Sequence, residues 1–169
     1  MRNFLILIIA VLSFSQVSAQ ESLYKKAWLG KWQNSKEYLI AIAGQMPDSL
    51  YDYKPTDREM SFAEQLEHIN GNMEWLATTY FDKKEAEVST SANPKERIID
   101  NLESSFDQIQ EAIKNYPKTK LEESVAFFAG EKSRLQILNL LQDHVTHHRG
   151  QLIVYLNLNG LKPPQYTGW

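Results

Sequence analysis

The sequence predicts an all-α domain built as a four-helix bundle with long connections between its helices. Two observations carry this prediction. Apolar residues recur at spacings of three, four and seven along four long stretches, as they do on the buried face of an amphipathic helix. The only strand-like run, residues 125–128, shows no partner, so we predict an extended loop there that lies against the bundle.

Length and composition indicate a single globular domain. The chain has 169 residues, of which 43% are hydrophobic and 23% charged, enough to form a substantial core. It contains no cysteine, which excludes disulfides, a cysteine nucleophile and thiolate metal ligands. The formal net charge of −3 and the absence of a basic tract argue against nucleic acid as a partner.

Residues 1–19 have the features of a cleaved signal peptide. A positive residue precedes the apolar run 4–12, and residues 17–19 resemble a small-residue cleavage site. The run is too short to span a bilayer, and no cysteine follows it to carry a lipid. We therefore expect export to the periplasm or beyond after cleavage near Ala19, leaving residues 20–169 as one domain without a stable membrane anchor. The alternative is an uncleaved anchor helix.

The first helix of the domain starts near residue 21 and stops at Pro47. Two of its tryptophans lie one turn apart. Its apolar positions are Leu23, Ala27, Trp28, Trp32, Leu39, Ile42, Ala43 and Met46. The connection that follows, residues 48–60, carries Tyr51 and Tyr53, which we expect to pack over the end of the bundle.

The second helix begins at a capping box, Ser61-Phe62-Ala63-Glu64, in which serine and glutamate side chains satisfy each other's backbone amides. Its one histidine, His68, lies about 120° around the helix axis from the centre of the apolar stripe. His68 is therefore predicted near the border of that stripe, where a cleft can begin. The stripe consists of Phe62, Leu66, Ile69, Met73 and Leu76.

The third and fourth helices have equally clear ends. Asn93 is a predicted N-cap followed by Pro94 at the first helical position, and this helix stops before Pro117. Nothing in it indicates chemistry. The fourth helix begins at a second capping box at Ser133 and stops at the Asn-Gly pair 159–160.

Three of the four histidines lie in one five-residue stretch of the fourth helix, residues 144–148. His144 and His148 are one turn apart and about 40° apart around the axis, so their imidazoles can converge on one metal ion. His147 points about 100° away from His148, which favours a supporting or surface role over that of a ligand. The alternative for all three is that they are solvated or hydrogen-bonded within the core.

Other polar residues lie close to this pair. Gln151 and Tyr155 project within about 60° of the same direction, which makes them candidates to contact water or substrate. The alternative is that both are satisfied core residues. Arg149 points about 140° from His144, which favours a structural or interface salt bridge. Three carboxylates could orient imidazoles or act as a base, but a solvated surface explains them more simply: Glu64, Glu67 and Asp143.

These motifs resemble those of the DinB superfamily of metal-dependent four-helix proteins. The resemblance is carried by His68, by the element His-x-x-His-His-Arg-Gly-Gln at residues 144–151, by Tyr-Lys-Pro at 53–55 and by the C-terminal glycine and prolines at 160–164. It covers essentially the whole mature chain. It implies a bundle of unusual connectivity that holds a divalent ion through His68, His144 and His148.

The resemblance does not define a reaction. Activities known in the superfamily include thiol-dependent transfer and isomerisation in the cytoplasm, and an export signal argues against inheriting them. Three neutral imidazoles leave an open position on zinc, which fits hydrolysis or group transfer on a small-molecule substrate. Nickel, iron or manganese also accept nitrogen ligands.

Two other classes of function remain open from the sequence. One is a metal-binding or stress-related module without turnover, which is favoured by the lack of a clearly marked general base. The other is a structural bundle whose histidines are incidental. Two aromatic residues at the C-terminus, Tyr166 and Trp169, indicate docking either onto the bundle itself or onto a second subunit in a homodimer.

Overall fold

The computed structural model describes residues 2–85 and 87–169, with side chains from residue 23 onward. Four long helices are connected by short 3-10 helices, loops and a two-stranded ladder. The helices are α1 (Arg2–Gln45), α2 (Phe62–Tyr80), α3 (Pro94–Asn115) and α4 (Arg134–Leu158), and the strands are β1 (Ser124–Val125) and β2 (Lys132–Ser133). The fold is an all-α four-helix bundle, as predicted.

The helices do not follow one another around the bundle. α1 packs mainly against α3 and α4, and α2 packs mainly against the same two helices. Consecutive helices α1 and α2 therefore lie diagonally across the bundle, as do α3 and α4. Long connections permit this order, because tight hairpins would place consecutive helices side by side. The pair α2 and α4, which carries all four histidines, is in direct contact.

The predicted starts of α2, α3 and α4 are confirmed in atomic detail, whereas α1 begins at Arg2 and not near residue 21. Ser61 Oγ accepts a hydrogen bond from the amide of Glu64, whose carboxylate accepts one from the amide of Ser61. Ser133 and Gln136 form the same reciprocal pair at the start of α4. The side chain of Asn93 caps α3. These caps satisfy amides that have no partner within the helix.

The core is rich in aromatic residues. Trp28 and Trp32 stack with ring centroids 4.9 Å apart, and the indole of Trp32 donates to the carbonyl of Phe106. Tyr51 is buried at the end of the bundle, where its hydroxyl donates to the carbonyl of Ala43. The predicted packing of the 48–60 connection over the bundle end is thereby confirmed. The C-terminal Tyr166 packs edge-on against Tyr38 of α1, in the same chain.

The prediction that residues 125–128 lack a partner was wrong. Val125 pairs with Lys132, and Ser124 with Ser133, in an antiparallel ladder closed by Gly130 at a φ of +87°. The partner strand is two polar residues directly before a helix cap, so hydrophobic alternation does not reveal it. The ladder places the apolar segment 125–128 at the start of α4.

Export after signal-peptide cleavage stays a prediction. Residues 1–19 lie outside the part of the chain whose side chains are described. Among the described residues, no helix is both long and apolar enough to cross a bilayer.

Candidate metal centre

Three histidines from two helices meet in one place. His68 of α2 and His144 and His148 of α4 each offer a nitrogen, and these three atoms all lie within 4.8 Å of one another. The Nε2 atoms of His68 and His144 are 3.1 Å apart. Nitrogens bound to one tetrahedral zinc, each at about 2.0–2.1 Å from it, lie about 3.3 Å apart. The spacing of this pair therefore matches that of two ligands on one ion, and the third nitrogen lies close by.

The two helices bring these residues together because they run in opposite directions. Gln65, near the start of α2, hydrogen-bonds to His148 and Tyr155 toward the end of α4. His68, one turn further along α2, contacts His144, one turn earlier in α4. His68 is exposed, His144 half-buried and His148 buried. The cluster thus lies at the border of the core and remains accessible from solvent on the α2 side.

The orientation of His148 is set by a residue that sequence analysis missed. His148 Nδ1 lies 2.7 Å from Gln65 Oε1, which can only accept, so Nδ1 carries the proton and Nε2 keeps a free lone pair. Such a partner behind a ligand histidine fixes its tautomer and its ring orientation. The sequence signal that could have revealed this partner is Gln65 itself, a polar residue beside the apolar stripe of α2 and one turn before His68.

Tyr155 extends this support. Its hydroxyl donates to the carbonyl of Met60 at 2.8 Å and accepts from Gln65 Nε2 at 3.4 Å. The side chain is buried and its hydroxyl is engaged, so Tyr155 acts on the histidines through Gln65. Gln151, the other candidate to contact water or substrate, has a buried Oε1 without a hydrogen-bond partner.

Burial and mutual proximity favour the neutral forms of His144 and His148. Burial, together with the neighbouring histidines, lowers the pKa of His144 to about 4. Burial and His68 also lower the pKa of His148, and the nearby Gln151 side chain opposes this in part. Metal ions bind the neutral form of imidazole, so no proton has to leave these two residues at neutral pH. The donor set fits a divalent ion.

The remaining candidates lie outside the cluster. His147 is exposed, with its ring edge-on to His148 at 4.8 Å between centroids, as a supporting or surface residue would be. Glu64 is occupied by its helix cap and by Lys54 at 2.9 Å. Glu67 and Asp143 are exposed.

The structural role expected of Arg149 is confirmed, but its predicted salt bridge was wrong. In the described part of the chain no carboxylate lies within ion-pair distance of it. Its guanidinium, which is almost fully buried, donates to Ser35 Oγ at 3.2 Å and lies over the ring of Tyr38 at 5.0 Å. Helical direction showed that Arg149 faces away from the histidines, but it did not show that α1 meets it with neutral groups.

Fold and site together define a class of protein: an all-α four-helix bundle that gathers three histidines able to hold a metal ion. A model of the DinB family matches residues 20–169, so the chain belongs to the DinB family.

Two solved structures share the fold. A DinB-like protein from Bacillus subtilis is 17% identical, with a TM-score of 0.69 over 83% of this chain and 96% of that one. A DinB-like protein from Bacillus cereus ATCC 10987 is 20% identical, with a TM-score of 0.71 over 84% of this chain and 97% of that one. At these identities the likeness shows the fold alone. A comparison with curated proteins found no match.

Proposed function

We propose that this protein binds one divalent metal ion, preferably zinc, through His68, His144 and His148, and uses it to hydrolyse a small molecule or to transfer a group from it. The observation that carries the proposal is the convergence of three nitrogens within 4.8 Å, two of them on imidazoles with lowered pKa values. An ion held there supplies Lewis acidity toward a carbonyl group and a nucleophile at neutral pH.

The chain's own residues prepare the site. Gln65 holds His148 in the tautomer whose Nε2 is free. The hydroxyl of Tyr155 accepts a hydrogen bond from Gln65 and donates one to the carbonyl of Met60, so it holds Gln65 in place. His144 Nδ1 is buried without a hydrogen-bond partner, so a cation at Nε2 would fix which of its nitrogens carries the proton. The exposed edge of His68 leaves a path for a ligand.

The second candidate is a metal-binding module without turnover. It is favoured by the placement of the acids, because Glu64 is occupied by its cap and Glu67 and Asp143 face solvent. No carboxylate is thus positioned as an obvious general base among the described residues.

Metal analysis of the purified protein tests the metal site. We expect about one equivalent of metal per chain and its loss in His148→Ala, because two imidazoles hold a divalent ion far less tightly than three. His147→Ala is the matched control, since it removes a neighbouring histidine outside the cluster and should keep the metal. Equal metal content in the wild type and His148→Ala would refute the proposed site. Circular dichroism verifies that both variants fold.

A turnover screen separates the enzyme from the module. Hydrolysable esters, amides and thiol acceptors are offered to metal-loaded wild-type protein and to His148→Ala. Turnover that requires both added metal and His148 supports the enzyme, whereas stoichiometric metal without any turnover favours the module.

We further propose that the protein works outside the cytoplasm, after cleavage near Ala19, without nucleic acid partners or a stable membrane anchor. The signal-like composition of residues 1–19 supports export. N-terminal sequencing of protein recovered from the producing cells tests it: a mature chain that starts at or near Gln20 is expected, and an intact N-terminus would contradict it. A homodimer is a further proposal, which sedimentation of the purified protein tests.

A further inference from the structure

A second feature of the α2–α4 side is an apolar pocket at the start of α4. It has a volume of about 380 Å³, and its apolar walls come from Phe127, Phe128, Ile137 and Leu140. Phe128 is 82% exposed and Leu140 39% exposed, which is unusual for large apolar side chains in one place. The volume is in the range of small-molecule sites, which is about 300–1,000 Å³.

The pocket and the histidine cluster lie on the same side of α4. Leu140 lies one turn before His144, about 40° away around the axis and about 6 Å along it. Ile137 lies two turns before His144, about 20° away around the axis. Both residues therefore extend the same stripe of the helix that carries the histidines.

Helix α2, which faces α4, also carries a residue that contacts the pocket wall. Trp75 lies two turns after His68 on α2, within about 20° of its direction. Its ring centroid is 6.1 Å from that of Phe127 and 6.2 Å from that of Phe128. Because α2 and α4 run in opposite directions, the stripes of both helices pass from the histidines to this aromatic pocket.

A hydrogen-bond acceptor without a partner lies on α2 between His68 and Trp75. Asn72 stands one turn after His68 and one turn before Trp75, and its Oδ1 is buried without a hydrogen-bond partner. An unpaired buried acceptor is costly, so Asn72 needs a donor, which a water or a ligand could supply. Lys132, the one cation among the described residues of the pocket wall, directs its Nζ to the carbonyls of Ala129 and Glu131, so its charge is engaged by the backbone and the remaining lining is uncharged.

We propose that this pocket binds the apolar body of the substrate of the histidine site, in a deepening of the function proposed above that depends on the metal centre. The substrate class is an uncharged acyl compound with an aryl or short alkyl body. Its carbonyl lies at the histidines, a neighbouring N–H or O–H donates to Asn72, and the body lies between Trp75 and Leu140. A single small ligand spans the distance, since Leu140 and His144 are only about 6 Å apart along the helix.

Two hydroxamates that share a metal-binding head test this inference on the zinc-loaded protein. Acetohydroxamate has almost no apolar body, whereas 3-phenylpropionohydroxamate carries a phenyl ring that can reach the pocket. Calorimetry should show that the phenyl compound binds about tenfold more tightly, because burial of a ring contributes at least that factor. Leu140→Ala and Phe128→Ala should each remove most of this gain and leave acetohydroxamate binding unchanged.

Val154→Ala is the matched control. Val154 is an exposed apolar residue of the same helix, 53% exposed and outside the pocket wall, so both affinities should stay as in the wild type. Asn72→Ala should weaken both hydroxamates by a similar factor, since both carry the same N–H donor. Thermal melts verify that all four variants fold.

The outcomes separate this inference from the proposed function. If acetohydroxamate binds but the phenyl ring adds no affinity, or adds a gain that neither pocket variant reduces, the pocket inference is overturned and the metal site stands. If Phe128→Ala or Leu140→Ala instead disrupts a dimer while both affinities stay constant, the pocket is an interface between copies and the inference is likewise overturned. If the protein binds neither zinc nor acetohydroxamate, the proposed function itself fails.

Discussion

Helix α4 buries polar side chains on two opposite faces, and the two groups are built differently. Toward α1, Gln142 and Arg149 both donate to the hydroxyl of Ser35, at 2.9 and 3.2 Å. Toward α2, His144 and His148 present nitrogens that face one another and His68. The adjacent residues His148 and Arg149 therefore belong to different polar groups, separated by the width of the helix.

The difference lies in the balance of donors and acceptors. On the α1 face, the donors of Gln142 and Arg149 find an acceptor in Ser35 and an aromatic face in Tyr38, so these donors are satisfied within the protein, and only the Oε1 of Gln142 is left without a partner among the described residues. On the α2 face, three imidazole nitrogens converge within 4.8 Å of one another, and a cation would satisfy their lone pairs together. Buried donors that share a neighbouring acceptor indicate structure, whereas three nitrogens that converge on one point indicate a site.

The largest effect on stability is expected from removing the hydrogen bonds between α4 and Ser35 of α1. Ser35→Ala removes the shared acceptor and leaves two buried donors unsatisfied, which should lower the free energy of unfolding by about 2 kcal/mol. Metal content should not change, because Ser35 touches neither α2 nor the histidines. Urea unfolding and metal analysis measure the two quantities. Loss of metal in Ser35→Ala would show that the two faces are coupled through α4, contrary to the comparison.

An intermediate effect is expected from Gln65, which supports the α2 face without contacting the ion. Gln65→Ala releases the ring of His148 and should weaken zinc binding about tenfold, or about 1.4 kcal/mol. Competition with a chromophoric chelator measures the affinity. Gln65→Glu is the matched control, since its carboxylate can still accept from Nδ1 and should retain most of the affinity. Equal losses in both variants would mean that packing, and not the hydrogen bond, is what matters.

The smallest effect, counted per pH unit, is expected from acid on the metal-free protein. The pKa of His144 is lowered to about 4 in the folded state, so between an unfolded value of about 6.5 and that pKa the unfolded chain binds more protons. Stability should therefore be full above pH 6.5, decline as the pH falls toward 4 and level off below, by under about 1.4 kcal/mol per pH unit.

His144→Asn is the comparison variant for this pH profile, which urea unfolding in the presence of a chelator records. Its stability should decline less steeply across the same interval, because a titrating group has been removed. Superimposable profiles would show that His144 does not carry the acid sensitivity. The α1 face does not contribute to this pH dependence of stability, since the guanidinium of Arg149 remains charged throughout this range.

Local signals allowed the four helices and the pair His144 and His148 to be predicted correctly, and the family resemblance correctly added His68 to the cluster. The capping boxes at Ser61 and Ser133 are short-range patterns, and hydrogen bonds within four residues realise them. The convergence of His144 and His148 follows from helical geometry alone. By contrast, the Val125–Lys132 pair was missed, because a two-residue ladder has no periodicity to detect.

What the sequence by itself determined is therefore the set of helices, every helix end except the start of α1, and the face of each helix that carries the histidines or the apolar stripe. The tertiary structure alone decided that α2 meets α4 in opposite direction, that Gln65 reaches His148 and that Ser35 receives Arg149. The reason is physical. Caps and helical faces depend on residues a few positions apart, whereas these contacts join residues 83 and 114 positions apart and exist only once the apolar stripes have packed.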